Sequence, residues 1–99
     1  MLAVNDDELD RVFKALGDPT RRRILDSLRR RPKQSLFEIC ALSAMEGQAA
    51  LSRQAITQHL DMLQKAGLVQ VEWSGRTKIH SFDPAPLREA AKQWLRKHL

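Results

Sequence analysis

The sequence predicts a mainly α-helical domain carrying one small β-hairpin, in the order α-α-α-α-β-β-α. Three observations predict it. Apolar residues recur at helical spacing through the first two thirds of the chain, and each run opens on a capping residue. After Gly67 the period changes to two, with Val69, Val71 and Trp73 alternating with Gln70 and Glu72. An Asp83-Pro84 pair then returns the chain to a helical period. The 99 residues suit one small domain over 1–99, with no repeat or low-complexity stretch to divide it.

The elements follow in order. Asn5 is an N-cap, and Asp6, Asp7 and Glu8 place acid against the positive end of the helix dipole. Leu9, Val12, Phe13 and Leu16 then repeat at i, i+3, i+4, i+7 until Gly17 ends the first helix. Asp18 caps the second, with Pro19 at the first helical position, where its missing N–H costs little. Ile24, Leu25 and Leu28 form its buried stripe, and it stops before Pro32. Ser35 and Glu38 form a capping box that opens a third helix, with Leu36, Ile39 and Cys40 inward. That helix is expected to fade between Met45 and Gly47.

A fourth helix spans 52–66. Ser52 caps it, Ile56, Leu60 and Leu63 give one apolar stripe, and Gly67 supplies a left-handed stop. The hairpin covers 69–82: Ser74 to Thr77 lie at its tip, Gly75 suits a positive φ, and Ile79 with Phe82 carries the apolar signal of the returning strand. In the last helix Leu87, Ala90, Ala91, Trp94 and Leu95 share a face, and Lys92, Arg96 and Lys97 make its final turn basic.

Charge narrows the choice of partner. Lys and Arg number 17 against 12 Asp and Glu, a net +5, which favours a polyanion. No apolar run reaches the length of a membrane span. The first eight residues have neither the basic start nor the apolar core of a secretion signal, and a single cysteine suits a reducing compartment, so a cytoplasmic protein is expected. No Gly-rich phosphate loop or nucleophile elbow is present and Tyr is absent, so no enzyme is expected.

The most informative stretch is the outer face of the fourth helix. Arg53, Gln54, Thr57 and Gln58 project from its first two turns beside Ser52, opposite the apolar stripe. These donors and acceptors, with little negative charge, suit base edges and phosphates in a DNA major groove. Arg53 and Gln54 lead, since both can make bidentate pairs with bases. Asp61 on the same helix opposes phosphate unless it turns away. The hairpin that follows carries Arg76 and Lys78, placed for a phosphate or a narrow minor groove. The alternative is a module that meets only other proteins, which an acidic or apolar outer face would favour.

Two separate runs carry a family resemblance: FKALGDPTRRRIL over residues 13–25, and LSRQAITQHL over 51–60 continuing to AGLV over 66–69. Together they resemble the ArsR-type winged helix-turn-helix repressors along nearly the whole chain. The resemblance implies a homodimer built from the first and last helices, with the fourth helix in the major groove of a palindromic operator and the hairpin as a wing. Leu9, Val12, Phe13 and Leu16, with Leu87, Ala90, Trp94 and Leu95, are then the expected dimer residues. The connection over 43–50 is several residues longer than the family's usual one.

Metal sensing in that family would need paired thiolates in the third helix, or His and Asp ligands along the last. Here Cys40 stands alone on an apolar face, and the last helix offers Asp83, Glu89 and His98 without a histidine pair. No metal or cofactor is therefore expected, the effector is left open, and Cys40 is read as a packing residue. Arg21, Arg22 and Arg23 sit at a helix start, where the dipole disfavours cations. Phosphate contact, pairing with Asp18 or Asp26, or contact with a partner subunit would each account for them.

Overall fold

Local chemistry opens and closes each element of the computed structural model, which describes residues 5–45 and 51–99. Helix α1 (Asp6–Leu16) starts where Asn5 Oδ1 accepts the Glu8 N–H at 2.9 Å. Helix α2 (Pro19–Arg30) starts where Asp18 Oδ2 accepts the Arg21 N–H at 3.0 Å. Helix α3 (Leu36–Met45) has the reciprocal box: Glu38 N–H donates to Ser35 Oγ at 3.2 Å, and Ser35 N–H to Glu38 Oε1 at 3.0 Å. Of the long 43–50 connection, the first residues extend α3 to Met45, and 46–50 lie outside the described residues.

Helix α4 (Arg53–Lys65) is capped by Ser52, whose Oγ accepts the Ala55 N–H at 3.0 Å. It ends in a double bond pattern, Leu68 N–H to Leu63 C=O and Gly67 N–H to Gln64 C=O, both 2.9 Å. That is the Schellman arrangement, and it requires the left-handed φ of +77° found at Gly67. A Cβ there would also meet Pro86 Cγ at 3.3 Å, so glycine serves both the turn and the close approach of the last helix.

Strands β2 (Val69–Ser74) and β3 (Thr77–Phe82) form the expected hairpin, with Gly75 at φ +62° in its tip. The sheet has a third strand that hydrophobic alternation did not reveal. Residues Gln34–Ser35 form β1, which pairs antiparallel with β3 and gives the order β1-β3-β2. The register also corrects the expected strand face. Val71 pairs with His80 and Val69 with Phe82, so Phe82, His80 and Lys78 share one side. Ile79 belongs to the other, because successive residues in a strand alternate.

Helix α5 (Ala85–Gln93) begins after Asp83 Oδ1 accepts the Ala85 N–H at 3.0 Å. It is shorter than its apolar period suggested. Trp94 leaves helical geometry at φ −135°, ψ −52°, and Leu95–His98 continue as a 3₁₀ turn.

The core joins Ile24, Leu25 and Leu28 of α2, Ile39 of α3, and Ile56, Leu60 and Leu63 of α4 to Leu68 and Val69 at the root of the hairpin. Leu36 and Cys40 pack against it, as their helical spacing predicted. Helices α1 and α5 are part of the same body. Val12 and Ala15 of α1 and Ala90 of α5 are buried within one chain, and Leu16 and Leu87 pack on the core. Val12 and Ala90, expected at a dimer interface, are instead covered within one chain, and the outer face is left to Phe13, Trp94 and Leu95.

Candidate nucleic-acid interface

The first turn of α4 carries no acid, whereas the first turn of α1 carries three. The positive end of the α4 dipole is thus left uncompensated by its own side chains. Arg53, Gln54, Thr57 and Gln58 are all exposed there. Thr57 Oγ1 donates to the Arg53 carbonyl at 2.9 Å, so it offers the outside only acceptor lone pairs and its methyl group. Ser52 is the reverse case: its Oγ accepts the cap bond, which leaves its hydroxyl hydrogen available as a donor.

Between α4 and the wing lies a cleft of about 580 Å³. It brings together Arg53 and Thr57 from the helix and Arg76 and Lys78 from the wing, residues up to 25 positions apart (78 − 53) in sequence. Asp61 also lines it, but Lys65 Nζ lies 2.9 Å from its Oδ2, which offsets its charge. Gln58 faces a neighbouring hollow with Arg21 and His59, and Gln54 lines neither.

The helix-turn-helix domain family matches residues 16–72 of the chain. The uncharacterized HTH-type transcriptional regulator YuzN of Bacillus subtilis (strain 168) is 40% identical over 86 residues, covering 87% of this chain and 94% of that protein. An ArsR-like transcriptional regulator from Rhodococcus sp. RHA1 superposes with a TM-score of 0.71 at 37% identity, over 93% of this chain and 80% of the other. This chain belongs to the ArsR family of winged helix-turn-helix transcriptional regulators. A homodimeric winged helix-turn-helix DNA-binding domain from Mycobacterium bovis shares the fold, with a TM-score of 0.69 at 21% identity over 99% of this chain and 91% of its own. The family regulates transcription by binding DNA and is not enzymatic.

Two arginines of this ArsR-type chain find their reason in the fold. Arg21 lies at the start of α2, but its guanidinium reaches back to the end of α1. Its Nε donates to the Ala15 carbonyl at 2.8 Å and its Nη2 to the Lys14 carbonyl at 3.0 Å. Arg22 Nη1 donates to the Leu16 carbonyl at 2.6 Å. Arg21 and Arg22 thus satisfy the Ala15 and Leu16 carbonyls at the negative end of the preceding helix, and Arg21 shares the Lys14 carbonyl with the Gly17 N–H. Arg21 Nη1 also lies 3.2 Å from His59 Nδ1 on α4. His59 Nδ1 also lies 4.0 Å from Asp18 Oδ2, so the ring stands between the guanidinium and the carboxylate. The Arg21 side chain therefore ties α1 to α4. Burial pushes the Asp18 carboxyl upward, but the Arg21 N–H, the nearby Arg21 and His59 charges and the Thr20 N–H together hold its pKa below the ordinary value.

Beneath the wing sits a polar cluster that sequence reasoning missed. Gln34 is buried, and its Nε2 donates to the Arg31 carbonyl at 2.8 Å, the Ser27 carbonyl at 3.1 Å and Ser27 Oγ at 3.2 Å. Its Oε1 is buried with no partner among the described residues. His80 is buried beside it, with Nδ1 3.1 Å from the Gln34 carbonyl. Burial lowers the His80 pKa, the bond to Gln34 raises it, and the Lys78 charge lowers it again, leaving a net depression. Strict alternation from Phe82 would have placed His80 inward; Gln34, in a two-residue strand, carried no such signal. Among the described residues no three His, Cys, Asp or Glu side chains converge as a metal site would require, and no helix is long and apolar enough to cross a membrane.

Proposed function

We propose that this regulator acts as a homodimeric repressor that occludes a promoter by binding a palindromic operator. Helix α4 enters the major groove through Arg53, Gln54, Thr57 and Gln58, and the wing follows the duplex through Arg76 and Lys78. One observation carries this reading: the convergence of Arg53 and Thr57 with Arg76 and Lys78 around a single cationic cleft. Two elements placed to touch the same duplex are what a winged helix requires, whereas a solvated helix face needs no such partner.

Dimerisation is supported by the apolar face left on α1 and α5. Phe13 and Trp94 pack edge to face, with ring centroids 5.8 Å apart at 73°, and Trp94 and Leu95 remain substantially exposed. Leu9 extends the same stripe. The homodimeric M. bovis domain of the same fold supports this arrangement. A two-fold axis would present two α4 helices to one side of the DNA, about 34–36 Å apart. Selection of bound duplexes from a random pool tests the whole reading. Inverted half-sites one helical turn apart are expected; enrichment of no sequence, or of single half-sites only, would overturn it.

A further inference from the structure

The cleft between α4 and the wing holds two large rings that the helix-and-wing reading does not use. Phe37, in the first turn of α3, is 72% exposed, and Trp73, on β2, is 67% exposed. Both line the cleft beside Arg53, Arg76 and Lys78. Trp73 is paired across the hairpin with Lys78, one step outward from the Val71–His80 pair. The strand face that buries Val69 and His80 therefore continues into solvent as a bare indole next to an ammonium. Among the described residues, the ring contacts involve Phe13, Trp94 and His98 and leave Trp73 and Phe37 out.

Duplex geometry identifies what could cover these rings. The major and minor grooves are separated by one sugar–phosphate strand. A helix in the major groove and a wing beside the adjacent minor groove leave that strand to run between them. Its chemistry matches the cleft: anionic phosphates at regular intervals, with the largely apolar deoxyribose faces between. Asp61, the acid among the described lining residues, is bridged by Lys65.

Resting on the DNA-binding reading above, we propose that this cleft seats one deoxyribose-phosphate strand of the operator, with Trp73 and Phe37 packed against its sugars. Arg76 and Lys78 would hold its phosphates, while Arg53, at the helix side of the cleft, reaches the base edges beyond the strand. The two kinds of contact differ in how they respond to salt. Cation–phosphate contacts release counterions and weaken steeply as salt rises, whereas burial of a ring against a sugar does not.

The test compares wild type, Trp73→Phe, Trp73→Ala and Arg53→Ala, each titrated with a selected operator duplex and a scrambled duplex at several salt concentrations. Saturating wild type with operator should shift and quench part of its tryptophan emission, and the change should vanish in Trp73→Phe, which retains only the distant Trp94. Trp73→Ala should bind both duplexes about tenfold more weakly, the scale of losing one half-buried aromatic surface, with an unchanged salt slope. Trp73→Phe should stay within about threefold of wild type, because a ring remains to cover the sugar. Trp73 is largely exposed, so loss of folding should not obscure the comparison.

If Trp73→Ala binds as wild type while Arg53→Ala is weakened, the strand contact is wrong and the DNA reading stands. If both bind as wild type, the DNA face itself is misplaced. A loss confined to the operator would make Trp73 a reader of bases and overturn the sugar assignment, as would an emission change that persists in Trp73→Phe.

Discussion

The two tryptophans show how one residue type serves two faces of the molecule. Trp94 is 44% exposed and packs against other rings, with Phe13 at 5.8 Å and the His98 ring at 4.4 Å between centroids. Trp73 is more exposed, has no ring neighbour among the described residues, and is surrounded by Arg53, Arg76 and Lys78. Under the proposals above, each exposed aromatic surface is covered by a partner. The surroundings distinguish the partners. A set of packed rings fits a second copy of the chain, and a cationic cleft fits a polyanion. Arg21 lies between the two, bonded to the α1 carbonyls on one side and to His59 of α4 on the other.

The largest expected effect tests the apolar face. In a face covered by a second copy, Trp94→Ala should cost about 3–5 kcal/mol, as truncation of a packed aromatic does. Sedimentation at micromolar concentration should then find monomer or unfolded chain. A dimer with the wild-type denaturation midpoint would break the assignment of that face.

Arg53→Ala tests the other face and should leave the unfolding midpoint alone, because the side chain is exposed. Operator binding should weaken by about 1–3 kcal/mol per half-site, with discrimination relaxed at one symmetric base pair. A midpoint shift without a binding change would invert the functional assignment of α4.

Arg21→Lys should fall between these in character and cost about 1–2 kcal/mol. A lysine keeps the charge, but its single ammonium cannot reproduce the guanidinium fork that reaches Lys14, Ala15 and His59 together. Urea denaturation and operator titration of the same variant should both move. Movement of only one would mean that Arg21 serves a single face.

The smallest effect is a pH dependence beneath the wing. The His80 pKa in the folded chain lies below its ordinary 6.5, so above that value both states are neutral and His80 leaves stability unchanged. As pH falls through 6.5 the unfolded chain takes up the proton first, and stability declines until the lower folded pKa is passed. His80→Phe should flatten this part of a denaturation profile as pH falls below 6.5. Asp18 and Glu38 act in a separate, more acidic window, since both carboxyls are held below their ordinary values of 3.8 and 4.5. Glu38 is lowered first by the Ser35 N–H and then by the Ser35 hydroxyl. Their contribution is present above those values and is lost as pH falls through the depressed ones. An unchanged slope near neutrality in His80→Phe would place the titrating group elsewhere.

The legible parts of this molecule are the ones decided within a few residues. Asn5, Asp18 and Ser52 each cap an N–H three positions on, Ser35 and Glu38 exchange bonds over the same distance, and Gly67 closes α4 within its own last turn. The stripes Ile24, Leu25, Leu28 and Ile56, Leu60, Leu63 were readable because burial repeats with the helical period. The exposed polar face of α4 was readable from those stripes alone, as whatever lies opposite them. Where local signals conflicted with packing, the packing prevailed. The apolar period of the last helix runs through Trp94 and Leu95, yet the backbone breaks at Trp94, where its ring meets Phe13 and His98.

From sequence alone came the helix order, the hairpin, the polar face of α4 and the basic charge, because each follows from caps, periods and residue types that act locally. Tertiary structure alone decided that β1 exists, since Gln34–Ser35 is a strand only through its pairing with β3. It also decided that Val12 and Ala90 are already covered, that Arg21 spans 38 positions to His59, and that His80 and Gln34 meet 46 positions apart. The cleft that gathers Phe37, Arg53, Trp73, Arg76 and Lys78 is of the same kind. Such contacts have no period and no signature in neighbouring residues. They arise because burying the α2, α3 and α4 stripes in one core fixes where every exposed side chain on those elements must stand.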